Sequence, residues 1–322
     1  MSQLKKKSDL AIGAEQFFKG KLWARIVKNK LMYLIILPAL VFLIVFNYAP
    51  MFGLVIAFQD YKLLEGVMGS EWVGLKTFYN LLFDPNTSAY RLIRNTLYIS
   101  LIRILSNFPI ILIFALLLRE IKCKAGRSAI QTLSYIPNFI SWVAVSGIAY
   151  NLFSVDGGLI NKVIELFGGE PISWYTTQDP WWAILAITSL WKGMGWSTLI
   201  YMSAMGTIDG ELYDACLIDG GGRWQQAKVV TLPGLANVIS IQLLMDSAAI
   251  LSDNADQIMS MTNGSPSLGN TNVIGTSIIN TVTGGGNFAL STAMGLIQGL
   301  VGLCLVLIVN SIVKKTENEG IL

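Results

Sequence analysis

The chain has 322 residues, 53% of them hydrophobic and 13% charged, with a formal net charge of +3. A soluble domain carries about 25% charged residues, so this composition points to an integral membrane protein. There is no histidine, which excludes imidazole bases and His-ligated metals, and the three cysteines (Cys123, Cys216, Cys304) have no Cys-x-x-Cys spacing, so neither a metal site nor a disulfide framework is expected.

Residues 1–30 form a basic segment. Lys5, Lys6, Lys7, Lys19, Lys21, Arg25, Lys28 and Lys30 face only Asp9 and Glu15. Phe17, Phe18, Leu22, Trp23 and Ile26 are interleaved with them, which suits a helix lying on a membrane surface; a plain basic tail is the alternative. The first apolar run covers 31–58. It exceeds the roughly 7 to 15 residues of a signal-peptide core and the about 20 needed to cross a bilayer. Further runs occupy 96–118, 130–153, 181–205, 234–250 and 288–313. The expected fold is all-α, with six spans in one polytopic domain over 31–315 and a short tail, 316–322. Pro38, Pro50, Pro109 and Pro137 lie in or near the spans, where neighbouring helices tolerate kinks.

Between the fourth and fifth runs lies a long polar interval, 206–233. Gly220, Gly221 and Gly222 divide it. Before them Leu212, Ala215, Cys216 and Leu217 fall at helical spacing, with Glu211, Asp214 and Asp219 among them. After them Trp224, Ala227 and Val230 recur every third residue, and Pro233 stands where a new helix begins. The expected order is helix, glycine turn, helix, next span. A turn between spans needs only a few residues, so an interval spent on paired amphipathic helices is expected to dock onto something.

Lys and Arg set the orientation. With the N-terminus inside, sixteen bases fall on inside segments and five outside (Lys62, Lys76, Arg91, Arg94, Lys162). The positive-inside rule then places both termini and the 206–233 interval in the cytoplasm. The loops 59–95, 154–180 and 251–287, rich in Gly, Asn, Ser, Thr and Trp, form an outer face for a partner outside the cell.

No Gly-x-x-x-x-Gly-Lys-Ser/Thr occurs, so the chain brings no nucleotide cradle of its own. Gly220–Gly222 with Arg223 has neither the spacing nor the lysine, no Gly-x-Ser-x-Gly elbow is present, and the chain is not expected to be an enzyme. Ionisable residues inside spans are functional candidates by default. These are Arg103, Lys192 and Asp246, with Asp253 and Asp256 near the outer end of the fifth span. A candidate substrate path is Trp191, Lys192, Trp196, Asp246 and Asp253. Indole faces stack on sugar rings, and the ammonium bonds hydroxyl or carboxylate. The alternative is a structural Lys192–Asp246 pair buried between helices. A different function, ion-coupled secondary transport through Lys192, Asp246 and Arg103, is also open at this point.

The run Glu-Leu-Tyr-Asp-Ala-Cys-Leu-Ile-Asp-Gly-Gly-Gly-Arg-Trp-Gln-Gln over 211–226, followed by Thr-Leu-Pro, resembles the EAA loop of binding-protein-dependent ABC transporter permeases. The segments 48–61 (Tyr-Ala-Pro-Met-Phe-Gly to Phe-Gln-Asp-Tyr), 72–78, 94–97, 134–143 (Ser-Tyr-Ile-Pro-Asn-Phe-Ile-Ser-Trp-Val) and 191–196 (Trp-Lys-Gly-Met-Gly-Trp) are similar to the LplB-type carbohydrate branch, relatives of the maltose transporter's membrane subunits. The resemblance covers nearly the whole chain from about residue 30. It implies a type I importer permease fold and import of an oligosaccharide or modified sugar across the bacterial plasma membrane. It implies a second homologous permease subunit, a cytoplasmic ATPase dimer that binds the ATP and Mg, an extracytoplasmic solute-binding protein and surrounding lipid as partners. No cofactor in this chain and no nucleic acid are implied. Each EAA loop inserts a short helix into a groove on the ATPase and takes up its motion.

Carried onto this sequence, Asp214, Ala215 and Cys216 match the Glu-Ala-Ala that names the loop, Gly220 matches its glycine and Asp219 precedes it. Glu211, three residues before Asp214, shares its helix face. Gly222 completes the coupling set. Asp for Glu shortens the acidic reach, and Gly221 stands where alanine is common, which implies a looser turn. Ser252-Asp253-Asn254-Ala255 and Asp246 also depart from the small or apolar residues usual in that span.

Overall fold

The computed structural model describes residues 27–84, 89–175, 178–249, 255–262 and 271–317. The chain divides into two units, Met1–Ile56 and Ala57–Leu322. In the first, α1 (Lys30–Leu43) passes into a π-helical segment, Ile44–Tyr48, and then into a 3-10 stretch that starts at Ala49. Pro50 has no N–H to give, so the helix widens before it and tightens after it. No residue of α1 is buried, and Ile35 is 70% exposed. A helix apolar all round is stable bare only against lipid. Most of the basic segment expected to lie on the membrane surface, 1–26, is outside the described residues.

The second unit opens with a two-residue hairpin ladder. β1 (Gln59–Asp60) pairs antiparallel with β2 (Glu71–Trp72), and the Phe58 ring stacks on Trp72 at 5.7 Å. Helix α2 (Lys76–Phe83) follows. Then come α3 (Ala89–Glu120), α4 (Lys124–Tyr135), a 3-10 turn at Ile136–Phe139, α5 (Trp142–Phe153) and α6 (Leu159–Leu166). Next are α7 (Gln178–Met205), α8 (Gly210–Ile218), α9 (Arg223–Gln226), a π segment at Ala227–Thr231 and a turn at Leu232–Gly234. The chain finishes with α10 (Ala236–Ala248), α11 (Ala255–Met261), α12 (Ile274–Gly285) and α13 (Phe288–Glu317).

Helix α3 threads three apolar clusters. Ile99 packs with Val145, Trp181, Ile184 and Ile258; Leu92 packs with Leu81, Ile274 and Met294; Ile111 and Ala115 pack with Tyr201, Met205 and Leu235. It begins seven residues before the expected 96. Asn95 and Thr96 are buried because they serve backbone elsewhere: Asn95 Nδ2 donates to the Asn272 carbonyl at 3.0 Å, and Ile274 N–H donates to Thr96 Oγ1 at 3.0 Å.

Among the described residues, three helices are long and apolar enough to cross a membrane, or five if each of two bent pairs is one span. The expected third span is such a pair, bent by 106° between Phe139 and Trp142, and the fifth is bent by 64° around Gly234. The expected fourth span is α7. Its 28 residues suffice in length, but it carries Thr188, Ser189, Thr198 and Lys192 and is not apolar enough to be counted with them. Trp181, Ile184, Leu185 and Tyr201 are each 1% exposed, so one face of α7 packs against other helices and buries Thr188, Ser189 and Thr198 in protein, while Ile187 and Leu199 stay exposed. The loop expected over 251–287 is in fact helical at α11 and α12. The 154–175 connection is pinned by Asn161, which donates to the carbonyls of Ser154 and Ile172 and accepts from Ile172 N–H and Trp174 Nε1.

Candidate functional site

The interval 206–233 folds as helix, glycine turn, helix. Asp209 caps α8 by accepting from Glu211 N–H at 3.0 Å. At the other end Gly220 adopts a left-handed φ of +79°. Gly221 N–H reaches the Cys216 carbonyl at 2.8 Å and Gly220 N–H the Leu217 carbonyl at 3.0 Å, which is a Schellman closure. Gln225 Oε1 then accepts from Gly222 N–H at 3.0 Å, starting α9. The turn is tight. A Cβ on Gly221 would stand 2.5 Å from Cys216 Sγ and 2.7 Å from the Cys216 carbonyl oxygen. The expectation of a looser turn is corrected: the two departures at 216 and 221 fit together, the larger sulfur taking space that the missing methyl leaves.

Glu211, Asp214, Ala215 and Asp219 are exposed and Cys216 is half-buried. Ile218 and Trp224 are 86% and 81% exposed. Tyr213, which sequence reasoning passed over, also turns inward. Its hydroxyl receives a hydrogen bond from Arg119 at the end of α3 and lies 3.1 Å from Thr231 Oγ1. Arg119 also donates to Thr231 Oγ1 at 3.0 Å, and its guanidinium carbon sits 4.1 Å from the centre of the Tyr213 ring. Gln226 Nε2 donates to the Tyr213 carbonyl at 3.3 Å. Arg119 is one of the sixteen bases counted on the inside segments and had no other role in the sequence reading. Its neighbour Glu120 meets Arg223 at 3.3 Å, an exposed pair that adds about 1 kcal/mol at most.

A second polar feature lies between α3, α7 and α10. Arg103 and Asn107 from α3, Ser189 from α7 and Asp246 from α10 line a cavity of about 130 Å3, together with Ser100 and Ser197. Arg103 Nε and Asn107 Nδ2 both donate to Ser189 Oγ, at 3.3 and 3.0 Å. Asp246 accepts from Gln242, four residues earlier, at 3.1 Å.

The Lys192–Asp246 pair is not formed. Lys192 Nζ donates instead to the carbonyls of Asn138 at 2.8 Å, Ile140 at 2.5 Å and Pro137 at 3.5 Å. The Asn138 and Ile140 carbonyls lie where the 3-10 turn breaks into α5, and in a membrane such carbonyls need a donor; the Pro137 carbonyl also accepts from Ile140 N–H at 3.1 Å. Nor do Trp191 and Trp196 frame the ammonium, which lies 5.5 Å from the Trp142 ring. Trp196 stacks on Tyr135 at 5.6 Å. Gly195 explains the close fit: a Cβ there would stand 2.2 Å from the Ser134 carbonyl oxygen, so α4 and α7 touch backbone to backbone at that point. Of the five residues in the expected substrate path, Asp246 lines the cavity, Trp191, Lys192 and Trp196 do not, and Asp253 lies outside the described residues. Arg103, left without a role beside the carrier alternative, joins Asp246 instead.

Comparison with known proteins gives these features a context. Residues 87–318 match the family model "Binding-protein-dependent transport system inner membrane component". The chain is 37% identical over 317 residues to the polygalacturonan/rhamnogalacturonan transport system permease protein YteP of Bacillus subtilis, covering 97% of both chains. It is 36% identical over 304 residues to Protein LplB of the same organism, covering 94% of this chain and 95% of that one. Among solved structures it superimposes on a bacterial ABC transporter involved in import of the acidic polysaccharide alginate, with a TM-score of 0.82, 28% identity and coverage of 92% and 99%. A second structure of a bacterial alginate ABC transporter, in complex with an alginate pentasaccharide-bound periplasmic protein, gives 0.83, 28%, 94% and 100%. These likenesses support an ATP-driven importer and not an ion-coupled carrier built on Lys192, Asp246 and Arg103, whose lysine is already engaged by backbone. The family match extends over well more than half the chain, and the two relatives run nearly end to end; this multi-pass membrane protein, a transport subunit and not an enzyme, belongs to the binding-protein-dependent transport system inner membrane components, the permeases of ABC importers.

Proposed function

We propose that this chain is one of two homologous permease subunits of a bacterial plasma-membrane importer for carboxylate-bearing oligosaccharides. A solute-binding protein delivers the sugar on the outer face, and a cytoplasmic ATPase dimer, holding ATP and Mg, drives the cycle. Six spans place both termini and the 206–233 loop in the cytoplasm, where Glu211, Asp214, Ala215, Cys216, Asp219, Gly220 and Gly222 shape the element that docks on the ATPase. The observation that carries this reading is α8 itself: a helix capped at both ends that presents Glu211, Asp214 and Ile218 outward, with no ion pair to either carboxylate among the described residues.

The substrate class rests on two supports. The names of the YteP and alginate systems both denote acidic glycans. The cavity between α3, α7 and α10 holds a guanidinium beside Asn107 and Ser189, a set of donors suited to a uronate carboxylate and ring hydroxyls. Asp246 opposite supplies an acceptor for hydroxyls. Asp253 keeps its place as a candidate on the same path.

The test is affinity purification of the tagged chain from its native membrane. Copurification of an ATPase and a second permease, weakened by Glu211→Lys with Asp214→Lys, is the expected result. A chain that purifies alone, or one whose partners are indifferent to both charge reversals, contradicts the docking role.

A further inference from the structure

The hydrogen bonds that α8 makes to a neighbouring helix all pass, among the described residues, through one side chain and its carbonyl: Tyr213. Its hydroxyl touches Arg119, the last turn of α3, and Thr231, the end of the π segment that leads into α10. Arg119 binds Thr231 as well, so the three side chains close a triangle, and the guanidinium also underlies the phenol ring. Thr231 is 2% exposed, and Thr231 Oγ1 turns back to the Gln226 carbonyl at 3.4 Å. A partly buried network of this kind holds a single geometry, because loss of one member leaves the others without partners.

The two segments that meet at this triangle are the two that carry the charged walls of the cavity. Arg103 and Asn107 lie on α3, 16 and 12 residues before Arg119. At 1.5 Å per residue that is about 24 and 18 Å along one helix, which stays continuous through Pro109. Asp246 lies on α10, beyond the 64° bend. The bend has a seat: Leu235, 0% exposed, packs among Ile111, Ala115, Tyr201 and Met205, while a Cβ on Gly234 would stand 2.7 Å from Ile208 Cδ1, just ahead of the Asp209 cap. One path from α8 runs along a single continuous helix and the other turns on a pivot. A single displacement of α8 therefore reaches Arg103 and Asp246 differently.

We infer that Tyr213, Arg119 and Thr231 form the joint through which movement of α8 is passed to both walls of the cavity, and that Tyr213 is a positioning residue for coupling and not part of the surface that meets the ATPase. The inference rests on the importer reading above. Without the joint, α8 still docks and ATP is still hydrolysed, but the walls no longer follow.

The experiment is the complete transporter in proteoliposomes, with solute taken up and ATP hydrolysed measured together. Tyr213→Phe keeps the ring over Arg119 and removes only the hydroxyl, and Thr231→Val removes the second corner at similar shape. The expected result is wild-type recovery of the ATPase with each variant, and at least a fivefold fall in solute moved per ATP. Tyr213→Phe with Thr231→Val should be no worse than the worse single change, since both cut the same link. Unchanged solute per ATP in both single variants overturns the joint. So does an equal fall in uptake and hydrolysis with the ratio preserved, which marks a merely structural tie. If the wild-type chain recovers no ATPase, the importer reading fails instead, and the two failures are distinct.

Discussion

Lys192→Met separates the structural role of this lysine from the solute contact that its flanking indoles advertise. The ammonium donates to the Asn138 and Ile140 carbonyls at 2.8 and 2.5 Å and approaches that of Pro137 at 3.5 Å. A hydrogen bond to a charged group contributes about 1.5 to 3 kcal/mol, and two such bonds lost, in a half-buried setting, come to about 3 to 5 kcal/mol. Methionine fills the same stem volume, so packing against Trp142 is largely kept. The expected consequence is a loss of stability centred on the 106° break, read as a fall of about 5 °C or more in the thermal transition of the purified transporter. Lys192→Arg should recover part of it, because a guanidinium also reaches carbonyls. The solute concentration giving half-maximal uptake should stay within about twofold for the protein that remains folded. A stable Lys192→Met chain whose uptake fails only at low solute would refute this assignment and return the lysine to the substrate path.

Three further outcomes follow from the same geometry. Gly221→Ala brings a methyl 2.5 Å from Cys216 Sγ and should cost about 1 to 3 kcal/mol, weakening ATPase recovery; Cys216→Ala in the same chain should restore part of it, though not the 2.7 Å approach to the Cys216 carbonyl. Equal recovery of the ATPase by all three chains would show that the turn tolerates the methyl. Arg103→Gln should reduce uptake of an oligogalacturonide roughly tenfold more than uptake of any neutral oligosaccharide the system accepts, since it removes a charge-assisted contact; equal reductions would detach Arg103 from acid recognition. Asn161→Ala removes four hydrogen bonds that tie 154–175 together, and hydrogen exchange should speed up across that connection while the 206–233 loop is unaffected.

Much of this molecule was legible in the sequence because lipid simplifies the code. Apolar runs of sufficient length marked the helices, and the glycines at 220–222 marked the one place where α8 had to end. The Asp209 cap at the start of that helix appeared only in the structure. What the sequence hid was pairing. Lys192 and Asp246 were matched by charge, yet the lysine is satisfied by backbone carbonyls that exist only because the chain breaks after Phe139, and a break exposes acceptors without changing any residue type. Tyr213 was hidden for a related reason. On a helix whose acids and apolar residues mostly face outward, Tyr213 is identified by what it meets, and Arg119 and Thr231 lie 94 and 18 residues away. The order helix, glycine turn, helix was readable; the link from that loop to α3 was not. Polar α7 also confuses a hydropathy reading, since a helix that buries its polar groups against its neighbours need not look apolar.

The most direct measurement is solute uptake into vesicles that contain this chain and the proteins that copurify with it, with ATP inside the ATPase compartment and no ion gradient. The expected result is uptake of an acidic oligosaccharide that requires ATP and a loaded solute-binding protein, and that is lost when Glu211 and Asp214 are both reversed in charge. Uptake that proceeds without ATP, survives those reversals and collapses with an imposed ion gradient would contradict the assignment of α8 as the element that receives the ATPase's motion.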